Sequence, residues 1–140
     1  MSESFQNKVL KIKNVFTSLS SEERYRSLIE MGRKLSPYPT EWKTQDRIVR
    51  GCQSTLYLHA ALENGTMTFT ATADALISAG LAALLISVYS GETPETILKC
   101  PPDFLHELGI ISSLSPNRSS GLAHIHLRMK QEAMRTLIHT

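Results

Sequence analysis

The chain has 140 residues, of which 41% are hydrophobic, 20% charged and 6% aromatic, a size and composition that suit one globular domain over 1–140 and argue against two. Lys and Arg number 15 against 13 Asp and Glu, mixed along the chain rather than gathered in a basic arm, which argues against a nucleic-acid binder. No uninterrupted apolar segment of the signal-peptide kind opens the sequence, and the longest apolar run, Ala75 to Tyr89, is shorter than the ~20 residues a membrane-spanning helix needs. A cytoplasmic protein without a membrane partner is expected, able to build its core without disulfides or a structural metal.

Phe5, Val9, Ile12, Phe16 and Leu19 recur at spacings of three and four and predict a first helix. Ser20 followed by Glu23 has the capping-box pattern, and Tyr25, Leu28, Ile29, Met31 and Leu35 carry a second apolar stripe. Pro37 and Pro39 end it, and the polar stretch Thr40 to Arg50 reads as a loop with an extended end at Ile48 and Val49. From Gln53 the period becomes two: Leu56, Leu58, Ala60 and Leu62 share one face. Asn64-Gly65 supplies a tight turn, and the return strand sets Thr66, Thr68, Thr70 and Thr72 against Met67, Phe69, Ala71 and Ala73. The threonine face suits solvent and the other requires a helical cover, so the expected fold is α+β: one layered domain, a small antiparallel sheet with a central hairpin packed against several helices.

Asp74 is placed to cap the apolar helix that ends near Gly91, and Thr93-Pro94 opens a short helix through Leu98. After Pro101-Pro102, another short helix spans Asp103 to Leu108 and stops at Gly109. Leu114-Ser115-Pro116-Asn117 leads into a final helix with Leu122, Ile125, Met129, Ala133 and Leu137 on its inner face.

Cys52 follows Gly51 where the polar loop becomes a strand, with Lys43, Arg47 and Arg50 close before it. Positive charge favours thiolate, and glycine lets the backbone turn sharply, which suits a nucleophilic or acceptor thiol at a loop tip. A small buried hydrophobe is the other reading of the same residue. A histidine base is not supplied by spacing: His59 lies an odd number of residues along the strand, on the opposite face, and His106, His124, His126 and His139 are tied to Cys52 by no rule. His124 and His126 stand about 200° apart around a helix, too far to chelate one metal. No nucleotide, cofactor or metalloprotease signature occurs, so neither a cofactor nor a metal is expected. Cys100 has only Lys99 and Asp103 as close charges, which do not consistently favour thiolate, and it reads as structural or incidental. Arg118 is a cation in the first turn of a helix, where it opposes the helix dipole and suits either a partner or plain solvation.

Gly51-Cys52-Gln53-Ser54 opening a strand, Asp74-Ala75 followed by Gly80-Leu81, and Leu114 to Leu122 (LSPNRSSGL) entering the last helix together resemble the SufE family of sulfur acceptors, which includes CsdE-like proteins. The likeness runs from about Tyr25 to Ala133. It implies a SufE/NifU-like fold and a protein that takes sulfur from a pyridoxal-phosphate cysteine desulfurase, stimulates that enzyme, and passes the sulfur to an iron-sulfur cluster scaffold complex. The resemblance places the persulfide on Cys52 and gives Arg50, Gly51, Gln53, Ser54, Asp74 and Arg118 supporting or partner-binding roles; the state is monomer or homodimer. Cys100 matches no motif of the family, and Ser36 to Gln45, beside the cysteine loop, departs from its pattern. Two other readings stand beside the carrier. A cluster scaffold of NifU- or IscU-like fold would gather several thiolates, and a non-covalent desulfurase activator would hold no sulfur.

Overall fold

The computed structural model describes residues 3–138; His139 lies outside them. The elements in chain order are α1 (Glu3–Phe16), α2 (Ser21–Arg33), two 3-10 turns (Thr40–Trp42 and Gln45–Arg47), β1 (Leu56–Glu63), β2 (Thr66–Ala73), α3 (Leu76–Tyr89), α4 (Pro94–Lys99), α5 (Phe104–Glu107), α6 (Ile110–Ser113) and α7 (Pro116–Ile138). This is the expected α+β arrangement.

Alternation produces the hairpin. β1 and β2 pair antiparallel from Leu56 with Ala73 to Glu63 with Thr66, around a turn in which Asn64 and Gly65 have φ of 53° and 81°, the positive values a two-residue turn demands. Leu56, Leu58, Met67, Phe69 and Ala71 are buried on one face, and α3 lies over them, burying Ile77, Leu81, Leu84, Leu85 and Val88. This helix is apolar nearly all round because α2, α7 and α1 cover its remaining sides. Where α2 and α3 cross, a Cβ on Gly80 would stand 2.2 Å from the Leu28 carbonyl oxygen, and one on Gly32 would stand 2.6 Å from the Gly80 nitrogen. Glycine at both positions lets the two backbones touch.

Each outer edge of the hairpin is fastened. Ile48 bridges Tyr57 and the Val49 amide donates to the Leu56 carbonyl at 2.9 Å, as the extended end expected at these two residues requires. On the β2 side, Met67 N–H donates to Glu92 O at 2.8 Å, Gly91 N–H to Met67 O at 2.6 Å and Phe69 N–H to Ser90 Oγ at 3.1 Å. The Glu92 carboxylate is itself buried and accepts from Lys8 Nζ at 2.6 Å and Ser4 Oγ at 2.7 Å, which ties α1 to this corner.

Several expectations are corrected. The strand begins at Leu56 rather than Gln53, because Asp74 Oδ1 accepts from the Thr55 amide at 3.1 Å and so stands where the next ladder carbonyl would be. Asp74 is therefore not the cap of α3, whose N-cap is Ala75 with no side-chain hydrogen bond. The stretch Thr40 to Arg50 is not featureless: its two 3-10 turns are fixed by the Tyr38 hydroxyl donating to Trp42 O at 2.9 Å and by Trp42 stacking on His59 at 3.6 Å. Leu19 and Leu35 fall just past their helices, Tyr25 is exposed, and Leu137 is 40% exposed rather than on the inner face of α7. Gly109, at φ 72°, stops α5 as expected, and a further turn, α6, follows it.

Candidate functional site

The loop between Ile48 and Leu56 runs across α7 and beside the start of α3. Gly51 takes φ of +92°, open to glycine and strained for other residues, and its α-carbon faces the His124 ring, which an added Cβ would meet at 2.4 Å. The next residue, Cys52, is half-buried. Its Sγ points at the Gly121 carbonyl, 3.8 Å away, on the rim of a cavity of about 160 Å³ lined among others by Gln53, Ser54, Ser78, Asn117, Arg118 and Ile125. Ser54 Oγ donates to Ser78 Oγ at 2.6 Å and fastens the far side of the loop to α3.

Of the residues expected at the site, Cys52, Gln53, Ser54 and Arg118 line this cavity and Gly51 turns the chain into it. Arg118 is in the first turn of α7, where the Ser115 hydroxyl accepts from its amide at 3.3 Å, and its guanidinium reaches the Tyr25 hydroxyl at 3.4 Å. Asp74 does not line the cavity; its carboxylate holds the Thr55 amide. Arg50 is exposed on the loop and does not line the cavity.

The expected electropositive activation of the thiol is not what the structure provides. Arg47 donates to His59 Nδ1 at 3.1 Å and Thr44 Oγ1 at 2.8 Å, and Lys43 borders a separate cleft with Thr55, Tyr57 and Thr72. Burial pushes the Cys52 thiol up from its ordinary value, and no neighbouring charge offsets it. At rest, Cys52 is a sheltered thiol rather than a primed thiolate. Cys100 is buried and borders a different cavity with Phe5 and Phe104.

Three residues that pattern reading did not put at the site complete it. Gly121 touches Sγ, and a glycine inside a helix, costing ~1 kcal/mol against alanine, was the signal that could have marked it. His124 packs on Gly51. Arg128 grips the root of the loop, donating to the Ile48 carbonyl at 3.0 Å and to that of Asp46. Nothing in local sequence links these two to a segment more than seventy positions earlier.

Fold and site define a class: a helix-covered hairpin that presents a thiol on a glycine-turned loop at the edge of a small pocket. The chain belongs to the SufE family, whose Fe-S metabolism associated domain matches residues 10–133, a span that begins halfway along α1. An uncharacterised SufE-like protein of Synechocystis is 37% identical over 113 residues, 81% of this chain and 71% of that protein. The sulfur acceptor protein CsdE of Escherichia coli is 35% identical over 114 residues, 79% of this chain and 78% of CsdE. The solution structure of a hypothetical protein from Thermus thermophilus superposes with a TM-score of 0.79 at 28% identity, covering 94% of this chain and 96% of that one. Among the described residues no helix is long and apolar enough to cross a membrane.

Proposed function

We propose that the chain works as one domain in the cytoplasm as a sulfur acceptor and carrier, with Cys52 as the residue that holds the sulfur. The donor is the persulfide of a pyridoxal-phosphate cysteine desulfurase, which the carrier also stimulates, and the recipient is an iron-sulfur cluster scaffold complex. The observation that carries the reading is the position of Cys52 Sγ, half-buried on a turning loop against Gly121 and beside a cavity of about 160 Å³. A carrier needs room for one more sulfur.

The exchange needs thiolate. In the free protein, burial favours the protonated thiol of Cys52; docking that draws the loop into water lowers the thiol toward its ordinary value and so raises the fraction of thiolate, whose proton goes to solvent. The Cys52 thiolate then attacks the outer sulfur of the desulfurase persulfide. The S–S bond of the donor breaks, its electron pair leaves on the desulfurase cysteine as thiolate, and a new S–S bond forms on Cys52. Gly51 supplies the hinge, and Arg118, Gln53 and Ser54 border the face on which the partner's cysteine arrives. The cluster-scaffold reading is disfavoured because Cys52 and Cys100 border different cavities and cannot share one cluster.

Intact-mass analysis after mixing with a cysteine desulfurase and cysteine tests the proposal. The expected result is a gain of one sulfur, removed by reductant, abolished in Cys52→Ser and retained in Cys100→Ala. A gain that survives in folded Cys52→Ser refutes the assignment, and stimulation without any gain favours the non-covalent activator.

A further inference from the structure

The side chains that hold the cysteine loop lie along one face of α7. Arg128, His124 and Gly121 are separated by four and three positions, the spacing that aligns side chains on one side of a helix. Against them the preceding chain runs in the opposite direction: Asp46 and Ile48 meet Arg128, Gly51 meets His124, and Cys52 meets Gly121. The two ends of this strap are held unequally. At its tip, the Cys52 contact to α7 is a 3.8 Å sulfur–carbonyl approach, and His124 only packs on a glycine. At its root, Arg128 uses three donors at once: Nη1 to Ile48 O at 3.0 Å, Nη2 to Asp46 O, and Nε to Glu132 Oε2 at 3.0 Å. Arg128 and Glu132 are each 15% exposed, so the bonds to Ile48 and Glu132 are partly withdrawn from water, where charge-assisted hydrogen bonds are stronger, while the bond to Asp46 faces solvent. The planar fork of arginine suits two carbonyls and a carboxylate together; an ammonium does not present that geometry.

We propose that Arg128, oriented by Glu132, is the positioning residue of Cys52: it fixes the root of the strap so that the thiol stays in its pocket while Gly51 leaves the tip free to swing. The sequence cations Lys43, Arg47 and Arg50 do not perform this role. Arg128 acts through the backbone of 46–48 and touches no reacting atom. The proposal builds on Cys52 as sulfur acceptor, but its main measurement does not require any sulfur to be transferred.

The measurement is the rate of Cys52 alkylation by iodoacetamide in the free protein, divided by that of Cys100, whose buried thiol reports global opening. Arg128→Met keeps the aliphatic stem and removes the fork. Its ratio is expected to rise about tenfold, the factor that follows from losing part-buried charge-assisted hydrogen bonds, with a cooperative melt retained. Arg128→Lys restores the charge on a single donor atom without the planar fork, and its ratio should fall between those of Arg128→Met and the wild type. An unchanged ratio in folded Arg128→Met overturns the proposal. Should that variant not fold, Arg128→Lys decides, and a wild-type ratio there overturns it. Persulfide loading by a desulfurase is measured alongside. If wild type and variants all fail to gain sulfur while the ratios shift as stated, the acceptor reading fails and the positioning role stands.

Discussion

Replacing Gly121 by alanine separates what the pocket does for sulfur from what α7 does for stability. Gly121 is inside α7, and a Cβ built there meets one atom within 4 Å, Cys52 Sγ, at 3.7 Å, which is ordinary van der Waals contact. With no clash to offset it, the substitution should gain the helix-propensity difference, ~0.8–1 kcal/mol, and raise the melting temperature by about 4 °C in a domain of this size. The same methyl group takes space from the cavity of about 160 Å³ at the point where Sγ faces α7. A persulfide extends ~2 Å past Sγ, so its outer sulfur is turned toward the opening and becomes more accessible. Circular-dichroism melts give the first quantity. Loading by a desulfurase followed by timed exposure to dithiothreitol and intact-mass analysis gives the second, with faster loss of the added sulfur expected in Gly121→Ala. A lowered melting temperature would refute the packing argument, and unchanged sensitivity to reductant would refute placing the outer sulfur against α7.

Gly80→Ala should act in the opposite sense, because its Cβ would sit 2.2 Å from the Leu28 carbonyl oxygen and force α2 away from α3; a loss of about 3 kcal/mol is expected from overpacking, and a urea midpoint equal to that of wild type would contradict the close crossing. His126 is buried against the Tyr89 ring, with Nε2 lacking a hydrogen-bond partner among the described residues, and burial holds its pKa down at about 4. The unfolded chain therefore binds this proton first as pH falls, so stability is intact above about pH 6.5 and declines toward pH 4 by up to ~3 kcal/mol. Urea unfolding at pH 7 and pH 4.5 should show that loss in wild type and less of it in His126→Phe; equal losses would exonerate His126.

What could be read along the chain was whatever depends on near neighbours. The hairpin is one such case, since Met67, Phe69 and Ala71 alternate with threonines and Asn64-Gly65 permits only a tight turn. The capping box is another: Ser20 Oγ accepts from the Glu23 amide and Glu23 Oε1 from the Ser20 amide, and burial plays no part in either bond. Cys52, Gln53, Ser54 and Arg118 were found through motifs and do meet at one cavity. The failures share a cause, which is competition from partners distant in sequence. Asp74 had a helix start next to it, yet the Thr55 amide across the hairpin took its carboxylate. The cations before Cys52 are neighbours in sequence only; the folded chain turns Arg47 to His59, while burial decides the state of the thiol. Arg128 and His124 looked like ordinary polar positions on a terminal helix because the groups they contact come from the other half of the chain.

A sheet of two strands has two outer edges, and in an isolated hairpin both are rows of unsatisfied donors and acceptors that invite a neighbouring chain to add a strand. Here Val49 closes the edge of β1, and Ser90, Gly91 and Glu92 close that of β2 around Met67 and Phe69. The Lys8–Glu92 pair that pins the second closure draws on α1, at the opposite end of the chain from α7, whose Arg128 secures the segment leading to the first. Resistance to edge-to-edge pairing thus draws on the first and last helices: loss of the α1 contact loosens the cover on the threonine-rich β2, and loss of the α7 contact loosens that on β1.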